Sequence, residues 1–104
     1  MFEVTRPSEL VDLLGYLALC MPDFPPEDDC TTAGVFAEAW AALGRFIENT
    51  PTEEGKERLH QCVRNLHVAF EMSENGNDEQ ASQFVQETEQ MFQRARKYID
   101  MSDE

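Results

Sequence analysis

The residues best suited to chemistry in this chain are His60, Cys62 and His67, the run from Glu71 to Ser82, and a large surplus of carboxylates. Imidazole and thiolate together are zinc ligands. On one helix, however, positions 60 and 67 are separated by about 10.5 Å at the α-helical rise, too far for one ion without ligands from elsewhere. Both histidines fall on a polar face with Arg64 and Glu71, and Cys62 falls on the apolar stripe. The expectation is a buried structural thiol and two surface histidines.

Glu71-Met72-Ser73-Glu74-Asn75-Gly76 lies between two predicted helices, as a calcium loop does. An acid, an oxygen donor, an Asn and the turn glycine occupy the first, third, fifth and sixth places. The twelfth place should be a bidentate Glu and is Ser82, and the first should be Asp and is Glu71. An ordinary helix-breaking turn at Asn75-Gly76 accounts for the segment. No metal and no cofactor is expected. Nor does the chain contain a nucleophile elbow, a phosphate-binding glycine loop or an HExxH run. Its carboxylates fall on predicted outer faces or in a solvated loop, where nothing raises their pKa towards neutrality as general acid–base work requires. The expected protein is not an enzyme.

Charge is the more informative signal. The 104 residues carry a net charge of −13. From Pro7 to Gly44 there are seven acids and no Lys or Arg, and from Asn65 to Gln93 six acids and again none. These two stretches account for the whole net charge, because the remaining residues hold eight acids and eight bases. Such a balance excludes nucleic acid as a direct ligand, which demands Lys and Arg, and disfavours anionic membrane surfaces. It favours encounter with a basic protein. The candidate contact residues are Asp23, Glu27, Asp28 and Asp29 from the first stretch and Glu71, Glu74, Asp78, Glu79 and Glu87 from the second. Phe24 joins them as an aromatic held between Pro22 and Pro25 and followed by acids. It is either a plug on one end of the core or an anchor for a partner pocket.

The elements that must position these residues are helical. Leu10 to Met21, reading LVDLLGYLALCM, is interrupted only by Asp12 and Gly15. A helix apolar on nearly all sides must be covered from several directions, and this one is too short for a bilayer, which takes about 20 such residues. It is expected over about 7–21, with Pro7 in its first turn and Thr5 or Ser8 as its cap. A proline-rich acidic loop follows. A second helix over about 33–48, capped by Thr31 or Thr32, carries a stripe of Val35, Phe36, Ala39, Trp40, Leu43, Phe46 and Ile47. Thr50-Pro51-Thr52-Glu53 reads as a capping box with Pro51 at the first helical position of a third helix, about 51–73. Its stripe is Leu59, Cys62, Val63, Leu66, Ala69 and Phe70. Asn77 and Gln80 resemble a further box opening a fourth helix, about 78–100, whose stripe includes one polar member, Thr88. Trp40-Ala41-Ala42-Leu43-Gly44 matches the opening of the tetratricopeptide pattern, but the later positions fail and no second copy exists.

No stretch alternates with period two, so no sheet is expected. The predicted fold is one all-α domain over 1–104, an antiparallel four-helix bundle with a short apolar first helix packed on a long helical hairpin. The start lacks a basic n-region and a cleavage site, and the cysteines Cys20, Cys30 and Cys62 are odd in number. Reduced thiols and a cytoplasmic location are expected, with a Cys20–Cys30 bridge as the alternative.

Taken together, these features predict a non-catalytic acidic protein that docks on a basic partner and blocks or escorts it. An inhibitor or immunity-type protein acting on a toxin or nucleic-acid-handling protein fits the charge, with DNA mimicry as one variant. The alternative is a structural or regulatory homodimer joined through the first helix and the Trp40 face.

Overall fold

The structure is a computed structural model that describes residues 3–101. Among these there are four α-helices and no strand: α1 (Pro7–Cys20), α2 (Thr32–Glu48), α3 (Glu53–Glu74) and α4 (Asp78–Ala95). Single 3₁₀ turns lie at Pro26–Asp28 and Arg96–Tyr98. Each helix packs against its neighbour in the chain, most extensively α3 against α4, and α1 closes onto α4. No helix among the described residues is long and apolar enough to cross a membrane.

The core is built from the predicted stripes. Leu10, Leu13, Leu14 and Leu17 of α1 meet Phe36, Ala39, Leu43 and Phe46 of α2. Leu59, Cys62, Leu66 and Ala69 of α3, with Ala81, Val85, Phe92 and Ala95 of α4, complete it. Thr88, the polar member of its stripe, is fully buried and paired. Its hydroxyl donates to the Phe84 carbonyl at 2.7 Å and accepts from Asn65 Nδ2 at 3.0 Å. Near the other end of α3, a Cβ on Gly55 would fall 2.5 Å from Tyr98 Cβ, so only glycine lets the last turn of the chain approach α3 this closely.

The ends of the helices depart from the sequence reading in specific ways. Neither Thr5 nor Ser8 caps α1. Glu9 reaches back instead, its carboxylate accepting from the amides of Thr5 and Arg6 and from the Thr5 hydroxyl, each at 2.9 Å. Thr31 caps α2, accepting from Gly34 N at 3.0 Å. The α3 cap is Thr52, which accepts from Gly55 N at 3.1 Å, two residues later than predicted. Thr50 is committed to the preceding helix, where its buried hydroxyl donates to the Phe46 carbonyl at 2.7 Å. Asn77 makes no side-chain cap. The break between α3 and α4 is closed by backbone: Asn77 N donates to Met72 O at 2.9 Å and Gly76 N to Ser73 O at 3.1 Å. This is the Schellman arrangement, and Gly76 adopts the positive φ of 84° that it needs. At the far end α4 stops at Ala95 rather than near residue 100, because Asp100 N donates to the Asn49 carbonyl at 2.7 Å and draws the chain across to α2.

The cover of α1 comes from α2 and α4 and does not reach all the way round: Leu19 is 85% exposed. Only α2 and α4 pack firmly on α1, so a stripe of it stays open to solvent.

Candidate functional site

Contacts between residues far apart in the chain decide where the two basic-free stretches meet. The Ser82 hydroxyl donates to the Ala18 carbonyl at 2.6 Å, setting the start of α4 beside the last turn of α1. Phe36 of α2 stands edge-on to Phe70 of α3, centroids 5.1 Å apart, and Trp40 does the same at 5.6 Å. The first half of α2 is therefore level with the last turns of α3. Ser73 closes the set by donating to Asp78 Oδ1 at 2.9 Å across the α3–α4 turn. One end of the molecule thus gathers the acidic loop after α1, the end of α3 and the start of α4.

The bases gather at the opposite end. The Arg45 guanidinium bonds the Val4 carbonyl. Arg58 and Lys97 lie over the Tyr98 ring, at 5.6 and 5.4 Å. Tyr98 in turn donates to Glu54 at 2.9 Å. Exposed ion pairs Arg6–Glu9, Lys56–Glu53, Arg58–Glu54 and Arg64–Glu57 bind several of these bases to neighbouring acids, with Arg64 at the mid-length of α3.

Of the predicted contact residues, Asp23, Glu27, Asp29, Glu71, Glu74 and Glu79 are exposed at or beside the acidic end. Glu87 is exposed as well, but two turns further along α4. Asp28 and Asp78 are half-buried and each accepts a hydroxyl. Phe24 is half-buried too, stacked on Tyr16 with centroids 5.5 Å apart, and so serves first as packing for the loop.

Sequence reasoning missed Tyr16. It read as one more apolar residue of α1, yet its hydroxyl donates to Asp28 Oδ2 at 2.6 Å. Burial first, and then this bond to the carboxylate, push the phenol well above its ordinary pKa, so it stays protonated and keeps holding the loop. The Cys30 thiol adds a bond to the Asp28 carbonyl at 3.2 Å. Asp29, next in the chain, sits at a left-handed φ of 50°. The loop is thereby fixed by polar bonds at its core while Asp23, Glu27 and Asp29 face outward.

The candidate metal residues are separated. Cys62 is fully buried, and burial pushes its thiol up to about 12. His67 stacks on Trp40, centroids 4.3 Å apart, with His60 exposed on the same helix. In the turn, Ser73 is engaged with Asp78. Among the described residues no group of His, Cys, Asp or Glu could hold a metal ion, and all three cysteines are free thiols. Trp40 is half-buried between His67, Phe36 and Phe70, its Nε1 enclosed without an acceptor among the described residues.

A hollow of about 410 Å³ opens between α1 and α2 at the foot of the acidic loop, lined by Leu13, Cys30, Val35 and Ala37 with Asp29 and Glu38 at its rim. A shallower one between α1 and α4 is lined by Gly15, Ala18, Leu19, Gln86, Glu89 and Gln90. Neither was visible in the sequence, because each is formed by residues from two packed elements.

Compared with known proteins, the chain matches no family model, no curated protein and no solved structure.

Proposed function

We propose that this chain is a non-catalytic binding protein that docks its acidic end on a basic partner and blocks or escorts it. The observation that supports this most is the meeting of the two basic-free stretches at one end, away from most of the Lys and Arg residues. A one-signed surface of this kind raises the rate of encounter with a positive partner and orients it. An inhibitor or immunity-type role against a toxin or a nucleic-acid-handling protein suits the charge, since such partners carry a complementary basic groove. In one variant the carboxylates of α3 and α4 occupy the places of DNA phosphates. The fold reading that accompanies it is an antiparallel bundle in which the short α1 and α2 pack on the α3–α4 hairpin. A low-salt capture from the native host tests the proposal. A basic protein should be retained and then released by a salt wash; retention of neutral or acidic proteins alone, unmoved by salt, contradicts it.

A second reading, a helical homodimer, has its own support in Leu19. This side chain is exposed beside the small residues Gly15 and Ala18, so a second copy has a knob and a hollow to engage. The interface would then be α1 against α1 rather than the Trp40 face, whose ring is already covered by His67. Sedimentation at high salt distinguishes the two, because an apolar dimer persists where an electrostatic complex dissociates.

A further inference from the structure

The hollow at the foot of the acidic loop does not stand alone. A second one, about 270 Å³, lies between α1 and the segment that precedes it, lined by Glu3, Val4, Glu9 and Asp12, and shares Leu13 with the first. The floor is rigid, because Leu13 and Val35 belong to the core at 3% and 4% exposure, and Ala37 is an exposed small residue that leaves the space open. Among the described residues, every charged side chain lining either hollow is an acid: Asp29 and Glu38 in the first, Glu3, Glu9 and Asp12 in the second. Glu9 is already paired with Arg6, and one Glu38 oxygen accepts from Val4 N at 3.2 Å. Asp29 is set at the rim by the Tyr16–Asp28 bond and by its own amide, which donates to Pro26 O at 3.2 Å. The groove is thus apolar at the bottom, acidic around the edge and preformed.

We propose that this groove is a docking site for a basic segment of the protein partner with an apolar tip. An aliphatic or aromatic side chain seats over Leu13, Val35 and Ala37 while neighbouring Lys or Arg residues meet Asp29, Glu38 and Asp12. Charge selects this occupant. A second copy of a chain with net charge −13 brings like charge to the rim, and an anionic lipid does the same. A neutral apolar ligand gains nothing from the carboxylates. The first hollow, about 410 Å³, lies within the range of ligand pockets, about 300–1,000 Å³. The inference rests on the reading of the chain as an acidic binder, and it puts the centre of contact on the α1–α2 seam rather than on α4.

The test is nuclear magnetic resonance of the full chain titrated at low salt with a synthetic amphipathic Leu/Arg peptide. The comparator is a Ser/Arg peptide of the same net charge. Amide shifts should concentrate at Leu13, Gly34, Val35 and Ala37, and the Ser/Arg peptide should bind at least about tenfold more weakly, as loss of a buried apolar side chain implies. Ala37→Trp fills the groove and should weaken the Leu/Arg peptide by a similar factor. Ala41→Trp, at an exposed position of α2 outside the groove, should not. Shifts confined to Glu71–Glu79, equal binding of the two peptides, or indifference to Ala37→Trp each overturn the groove proposal while leaving an acidic binder intact. If neither cationic peptide binds at low salt, the broader reading fails as well. Should Ala37→Trp fail to fold, the shift map and the peptide comparison on the unmodified chain decide.

Discussion

Ser82 and Ala18, far apart in the chain, are joined by a 2.6 Å hydrogen bond from hydroxyl to carbonyl, and through it the start of α4 is level with the end of α1. Ser82→Ala removes the donor and leaves the carbonyl of a half-buried helix end without it. A loss of about 1 kcal/mol in urea unfolding is expected, the usual size for one such bond. No change would mean that water replaces the bond freely and that α1 and α4 are not fixed at this level.

Leu17 and Leu19 are near neighbours with opposite fates. Leu17 is fully buried and Leu19 is 85% exposed. Leu17→Ala should cost roughly 2–5 kcal/mol, as buried Leu truncations do, whereas Leu19→Ala should stay within about 0.5 kcal/mol. Equal costs at the two positions would contradict the orientation of α1. A concentration-dependent cost at Leu19 alone would favour the homodimer.

The contrast also shows where the sequence was readable. Positions such as Leu43, Phe46, Leu66 and Phe92 declared themselves by helical spacing, since a stripe near a 3.6-residue period needs a core to face. Leu19 did not, because a helix apolar on most sides gives no sign of which side its neighbours leave open. The caps were half legible. Two threonines flanked the start of α3, and only the structure shows Thr50 terminating α2 while Thr52 begins the next helix. Charge segregation was plain in the sequence, but its gathering at one end depends on which helix ends meet, and that is fixed by long-range pairs such as Ser82–Ala18 and Phe36–Phe70. The groove at Leu13 was invisible for the same reason.

The thiols should react in two classes. Cys20 and Cys30 are half-exposed, and Cys62 is fully buried with its pKa pushed up to about 12. In the native protein an alkylating reagent should modify Cys20 and Cys30 and spare Cys62 until denaturant is added. Rapid native labelling of Cys62, read by peptide mass spectrometry, would contradict the packing of α3.

Glu9 gives a pH signature. The Thr5 amide foremost, then the Arg6 guanidinium, the Thr5 hydroxyl and the Arg6 amide, hold its carboxyl down at about 2, from an ordinary 4.5. A depressed folded-state pKa contributes stability that is complete above about 4.5 and lost as pH falls towards about 2. The urea midpoints of wild type and Glu9→Gln should therefore differ most near neutral pH and converge as acid is added across this window. A constant gap would show that the carboxylate contacts do not form.

Docking of the acidic end on a basic partner is read out by association kinetics with the protein captured at low salt. Glu27, Glu74 and Glu79 are exposed at or beside that end, and Glu53, Glu54 and Glu57 at the opposite one. Exposed charges of either set contribute little to folding, typically under about 1 kcal/mol each, and a melting curve of each Lys triple checks that it folds. Glu27→Lys, Glu74→Lys and Glu79→Lys together should slow association by about tenfold or more at low salt, with the difference shrinking as salt is added. The triple at Glu53, Glu54 and Glu57 should change it far less. Equal effects from the two triples, or no effect from either, would contradict the claim and leave the segregated charge as a solubilising exterior.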